Sequence, residues 1–363
     1  MPSWPDLSEV RSAFPHLESR VYLDTAAAGL TWKGQGAAVA RFYDDVKSRG
    51  YDARPEWQAL TERVRGRLAE WLGVTVADIT FVSNSTEGLN LAALSLQFRP
   101  GDRVVLAADE FPSVARVWEA AVRAGAEVVR VPITSEAARE STLLSALDAR
   151  TRVLAVSQTH SSTGTTIDLD RVADACRRHG ALLMVDGMQA MGAVPTQLAH
   201  VDVYASSFFK WMLSGFGIGV LVTSARARAS MRPAYRGYKN MDDESQLQYA
   251  HVNIPAMYGL DATLDFFERI GWATVHRRVR ELGRHLLESA AGRRLDLVTP
   301  ADAHAGIFVV RCASGEAAQR ALAARGISVS ARGCGLRVSP HFYNTPDEID
   351  RGLAAIADLI EST

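Results

Sequence analysis

Disulfide chemistry has almost no material in this sequence. Its 363 residues include three cysteines, Cys176, Cys312 and Cys334, odd in number and far apart. That excludes a disulfide framework and a CxxC zinc site, so no metal is expected. Neither sign of charge is in excess: the formal net charge is −1, which provides no general field for nucleic acid or an acidic membrane. The basic stretch 226–239 is followed at once by Asp242 and Asp243 and reads as a solvated, charge-balanced surface segment. No apolar run reaches the length of a membrane span. The opening MPSWPDLSEVRSAFP is polar and carries prolines, without a signal-peptide core, so a cytoplasmic protein is expected. Internal repeats and low-complexity tracts are lacking. No GxGxxG follows the first strands, and Gly215, Gly217 and Gly219 come after Lys210 rather than before it. Neither a dinucleotide fingerprint nor a Walker loop is present.

What is present is a chain of 47% hydrophobic residues, long enough for one large domain and a smaller one. Apolar, β-rich runs (79–84, 102–109, 151–158, 181–187, 201–207 and 217–223) alternate with helical patterns. Several runs are apolar on both faces, as in a mainly parallel sheet covered by helices. The spacing predicts an α/β domain over 21–255. After about 255 the pattern changes to one long helical stretch, then short strands GIFVVRC and LRVSP, which predicts a smaller α+β domain over 256–363. Residues 1–20 are expected to pack beside it. Thr345-Pro346-Asp347-Glu348 offers an N-cap, a proline at the first helical position and a glutamate at the third for the last helix.

Ligands of open α/β sheets sit beyond the carboxyl ends of the strands. Here those ends carry Asn84-Ser85-Thr86, Asp109-Glu110-Phe111, Gln158-Thr159-His160-Ser161, Asp186-Gly187-Met188-Gln189 and Ser206-Ser207 ahead of Lys210. Ser85 and Thr86 open a helix, where they either cap it or favour an anion. Asp186 ends the apolar run ALLMVD and needs a cation or strong hydrogen bonds. Lys210, set between Phe209 and Trp211, is an ammonium group in apolar surroundings. The two could form a simple salt bridge. Equally, an aspartate facing a pyridine nitrogen and a lysine forming a Schiff base are the arrangement of a pyridoxal phosphate site.

The motifs YLDTAAAGL, NSTEGLN, DEFPS, VDGMQAMGAVP, SSFFKWMLSGFGIG, HVNIPAMYGLDATLDFFERIG and LRVSPHFYNTPDEID run in this order along nearly the whole chain. With them the sequence resembles the class V aminotransferase family of pyridoxal 5'-phosphate enzymes, which includes cysteine desulfurases, selenocysteine lyases, kynureninases and isopenicillin-N-epimerase-like proteins. The resemblance implies fold type I: a mainly parallel, seven-stranded-type sheet with helices on both faces, plus the small C-terminal domain. It implies that Lys210 anchors the cofactor and shuttles protons. Asp186 would hold the ring nitrogen, Gln189 the phenolic oxygen, and Ser85, Thr86 and Ser207 the phosphate. His251 would reach the phosphate of a partner subunit in a homodimer. Arg337 would bind a substrate carboxylate, which suits a guanidinium fork.

Departures from the family pattern bear on the reaction. Phe111 stands where desulfurases stack a histidine; it can stack but cannot move protons. Cys334 lies three residues before Arg337, which leaves no long loop for a mobile nucleophile. Phe209 replaces a histidine often found before the lysine, removing a phosphate donor. Ser161 stands where an asparagine would meet the ring oxygen, and His160 is either an acid/base or a substrate contact. The expectation is an enzyme in which Lys210 removes the α-proton of an amino acid or similar amine, with transamination favoured. A C–S lyase without a persulfide cysteine is the alternative, and an epimerase the third reading.

Overall fold

In the computed structural model, which describes residues 7–243 and 246–361, strands form over Ile79–Val82, Arg103–Ala107, Glu127–Val131, Thr151–Ser157, Leu182–Asp186, Val203–Ser207 and Gly219–Thr223. The first six residues of the expected N-terminal segment lie outside the described residues. The seven strands make one sheet; by first residue the spatial order is 79, 219, 203, 182, 151, 103, 127. Every neighbouring pair is parallel except the two made by the strand at 219.

Both faces of the sheet are buried, and the pleat divides them. Val105, Leu154, Leu183, Val185 and Tyr204 point into one core, with Leu68, Val172 and Leu260 from the covering helices. Val104, Val153, Leu182, Met184 and Ala205 point into the other, with Leu89, Ala92 and Trp118. Alternation by residue parity is what strands covered on both sides require.

A second sheet joins Ser330–Arg332, Gly335–Val338 and Phe308–Arg311, all antiparallel. Helices Trp272–Gly292, Gly315–Ala324 and Pro346–Glu361 pack on it. The last helix starts with the reciprocal cap its sequence offers: Thr345 N–H donates to Glu348 Oε2 at 3.0 Å and Glu348 N–H to Thr345 Oγ1 at 3.2 Å. Arg11 pairs with Glu348 at 2.8 Å, and Phe14 lies 4.8 Å from the Tyr343 ring.

Three features differ from the sequence reading. The long helical stretch after 255 is two helices, Ile254–Ile270 and Trp272–Gly292, because Gly271 takes φ 88° at the junction. The first of them buries Met257, Leu260 and Leu264 in the core of the large sheet, so a boundary at 255/256 falls within that layer's packing. The strand Glu127–Val131 escaped notice because it is a sheet edge with polar Glu127 and Arg130, not an apolar run.

Candidate active site

The carboxyl ends of three adjacent parallel strands supply Ser157, Asp186 and Ser207, and the helix after Ile79–Val82 begins at Ser85. Its N-cap is Asn84, whose Oδ1 accepts from Glu87 N–H at 2.9 Å, rather than Ser85 or Thr86. Asn84 therefore leaves the first helical residues available at the positive end of the helix. Ser85 N–H donates to Ser207 Oγ at 2.7 Å, which joins two of the residues assigned to a phosphate. Thr86 is exposed, its Oγ1 2.7 Å from Ser113 Oγ.

Beside them opens a small cleft lined by Ser85, Phe111, Ser157, Ser161, Asp186 and Lys210, together with Thr159, Met188 and Gln189. Lys210 is half-buried at its edge. Burial, then the nearby Arg337, pull its pKa down to about 8, against the pull of Asp186. The lysine turn is clamped by the N-terminal loop: Gly29 N–H donates to Phe209 O at 2.9 Å. A Cβ on Gly29 would lie 2.0 Å from Lys210 O, so only glycine fits there. Phe209 stacks on Phe216, centroids 4.2 Å apart.

Asp186 is buried; burial raises its pKa to about 6, while the Met188 N–H and Lys210 oppose the rise. Met188 N–H donates to Oδ1 at 2.9 Å, and Oδ2 has no protein donor among the described residues. Gln189 is held at both ends of its amide: Nε2 donates to Ala26 O and Oε1 accepts from the Trp211 indole, each at 3.0 Å. One amide hydrogen stays available toward the cleft it lines. Phe111, 46% exposed, borders the cleft.

Arg337 is 2% exposed. Nη1 donates to Ser161 O at 3.2 Å and Nη2 is 3.6 Å from Asp24 Oδ1, while Nε and Nη2 make no hydrogen bond. Burial pushes its pKa down to about 10, with Asp24 only partly opposing. Two nitrogens of one buried guanidinium are thus left with unused N–H donors.

His160 does not line the cleft. Its Nε2 faces Asp109 O at 3.0 Å and its Nδ1 faces Thr163 Oγ1 at 2.9 Å, in a cluster built on Arg139. The ring, read from sequence as either an acid/base or a substrate contact, is bonded to protein on both sides. His251 also lies apart from the cleft of its own chain, exposed beside a larger cleft that includes Phe42, Tyr51 and Trp57. Tyr238 is near it, rings 5.2 Å apart, and Tyr235 near Tyr249 at 5.3 Å.

Sequence reasoning overlooked Asp24, Ser157 and the holding role of Trp211. Asp24 lies in YLDTAAAGL, a motif already singled out, and Thr159 at a strand end already noted.

Among the described residues no helix is long and apolar enough to cross a membrane, and no cluster of metal-ligating groups is found. A model of the family described as "Aminotransferase class-V" matches residues 21–351. An uncharacterised protein of Schizosaccharomyces pombe is 30% identical over 84% of this chain and 75% of its own. Isopenicillin N epimerase of Amycolatopsis lactamdurans is 29% identical over 96% of this chain and 99% of its own. The apo structure of a cysteine desulfurase from Thermococcus onnurineus NA1 superposes with a TM-score of 0.88 at 21% identity, covering 100% of both chains. With the family model spanning most of its length, the chain belongs to the class V aminotransferases, a family of pyridoxal phosphate enzymes.

Proposed function

We propose that the protein acts on an amino acid or amino-acid-like amine as an aminotransferase, with Lys210 moving the α-proton. The observation that carries this reading is one cleft bordered by an amine of lowered basicity, a buried carboxylate and an aromatic plane, with the half-satisfied guanidinium of Arg337 held against its Ser161 wall.

These groups fit pyridoxal phosphate. Asp186 Oδ2 is available to a pyridinium N–H, whose charge would draw the carboxyl back toward its ionised form. Phe111 offers a stacking face, and the helix start at Ser85 with Ser207 offers donors to a phosphate. When bound, the cofactor supplies an electron sink for charge left at the substrate's α-carbon. Lys210 Nζ holds and moves the proton, helped by a pKa near working pH. Arg337 orients the substrate through its carboxylate, and Phe111 shields one face of the cleft from water. Ser161 and Gln189 are assigned to the ring oxygen.

Transamination needs neither a second proton carrier over the ring nor a sulfur nucleophile. Phe111 in the stacking position supports it, as does Cys334 on the two-residue turn between Arg332 and Gly335. A C–S lyase is the second reading, on the cysteine desulfurase likeness, and epimerisation the third, on the isopenicillin N epimerase likeness. The reading includes a homodimer, supported by the exposed His251 at the rim of the large aromatic cleft and assigned to the partner's phosphate. It also includes a cytoplasmic setting, supported by three free cysteines. Incubating the holoenzyme with a panel of amino acids, and scoring keto acid, pyruvate with ammonia, sulfide and loss of chirality together, tests the choice. Keto acid matched by amination of the cofactor is expected; sulfide or racemised substrate without it would refute transamination.

A further inference from the structure

The hairpin that delivers Arg337 carries a second guanidinium. Its strands pair antiparallel with Ser330 opposite Arg337 and Arg332 opposite Gly335. Residues opposite one another, and residues two apart on a strand, share a face of the pleat. Ser330, Arg332 and Arg337 therefore project from one side. That side faces the site: Ser330 Oγ donates to Asp24 Oδ2 at 2.6 Å, and Arg337 bridges Asp24 and Ser161 O. The hairpin tip lies over the loop that lines the cleft, since a Cβ on Gly333 would come 3.5 Å from Ser162 O. The charge of Arg332 acts on Lys210, Asp24 and Arg337 alike.

Arg332 differs from Arg337 in being exposed. Among the described residues its side chain bonds only to the neighbouring Ala331 O, at 3.0 Å, and no carboxylate lies within ion-pair distance. A cation at the rim, without an acid of its own and on the same face as the α-carboxylate receptor, is complementary to a second acid on the substrate. We propose that Arg332 is a specificity residue selecting amino acids with an anionic side chain, while Arg337 takes the α-carboxylate. This rests on the amino-acid reading of the Lys210 cleft. A neutral side chain leaves Arg332 in water, an acidic one gains charge-assisted hydrogen bonds, and a basic one is repelled.

The test titrates the visible absorbance of the holoenzyme with aspartate and glutamate against their isosteric amides, asparagine and glutamine. At least one acid is expected to bind about fivefold or more tightly than its amide. The preference should shrink in high salt. R332Q should bring the ratio to about one and R332K should keep part of it; R325Q, at an exposed arginine beside Asp358, should leave it as in the wild type. A wild-type ratio of one or below, or a preference that survives in R332Q, overturns the proposal. Amino acids that all bind regardless of charge remove only this role of Arg332. A protein with no visible band and no response to any amino acid removes the reading of the cleft and this role with it.

Discussion

Arg139 and Arg337 are equally buried, 3% and 2% exposed, and belong to neighbouring regions joined by His160-Ser161, yet their surroundings are opposite. Arg139 donates to both oxygens of Asp109 and both oxygens of Glu136. Burial lowers its pKa, but those carboxylates more than reverse that and raise it. Arg337 has one carbonyl, one loose carboxylate and two unmade N–H positions, so burial wins and its pKa falls to about 10. A saturated buried cation has its donors spent on the protein; an unsaturated one keeps donors free for a ligand's charge.

Breaking the first region should have the largest effect on stability. Arg139→Met strands Asp109 and Glu136 and should cost about 3 kcal/mol in urea unfolding, the lower end for breaking a buried pair because Asp109 is partly solvated. Breaking the second should act on ligands instead. Arg337→Met should weaken amino-acid binding about tenfold to a hundredfold. Its unfolding free energy should stay within about 1 kcal/mol of the wild type or rise, because a poorly paired buried charge is removed. Equal losses of stability in both variants would erase the distinction.

The same contrast has a pH signature. Burial pushes Glu136 up, and the hydrogen bonds from Arg139, Thr165 and Thr163 more than reverse it, leaving a pKa of about 2 against an ordinary 4.5. Its stabilising contribution is present above 4.5 and is lost as pH falls toward 2. The acid limb of the stability curve should be shallower in Arg139→Met. Lys210 titrates in the other region: cofactor uptake by apoprotein should rise with pH around a midpoint of about 8, since the neutral amine reacts. A midpoint near that of an ordinary lysine would contradict the desolvated site. The smallest effect is expected at Phe111→Ala, where lost stacking of a half-exposed ring should weaken cofactor binding about threefold to tenfold by equilibrium dialysis.

Much of this site was legible in the chain because its parts sit at strand ends. Asp186 and Ser207 end apolar runs, Ser85 follows one, and Lys210 interrupts an apolar stretch. The contrast between the two arginines was not legible. Arg337 meets Asp24 and Ser161, 313 and 176 positions away, and pairing over such separations leaves no local pattern. His160 looked like a cleft residue by its place after a strand; the Asp109–Arg139–Glu136 cluster, which joins a strand-end loop to a helical segment 30 positions on, turns its ring into protein. Gln189 takes its assignment from the family resemblance, but its fixed orientation comes from Ala26 and Trp211. In the fold, apolar central strands were visible, while the polar edge strand at 127–131 and the break at Gly271 inside an apolar helical pattern were not.

The central claim is that Lys210 carries the cofactor. Borohydride reduction of the holoenzyme, followed by peptide mass analysis, tests it directly, with Lys33, Lys47 and Lys239 as internal controls in the same chain. A reduced pyridoxyl adduct on the Lys210 peptide is expected, with loss of the visible absorbance in Lys210→Ala. An adduct on another lysine, or an unmodified Lys210 after saturating cofactor and reductant, would contradict it.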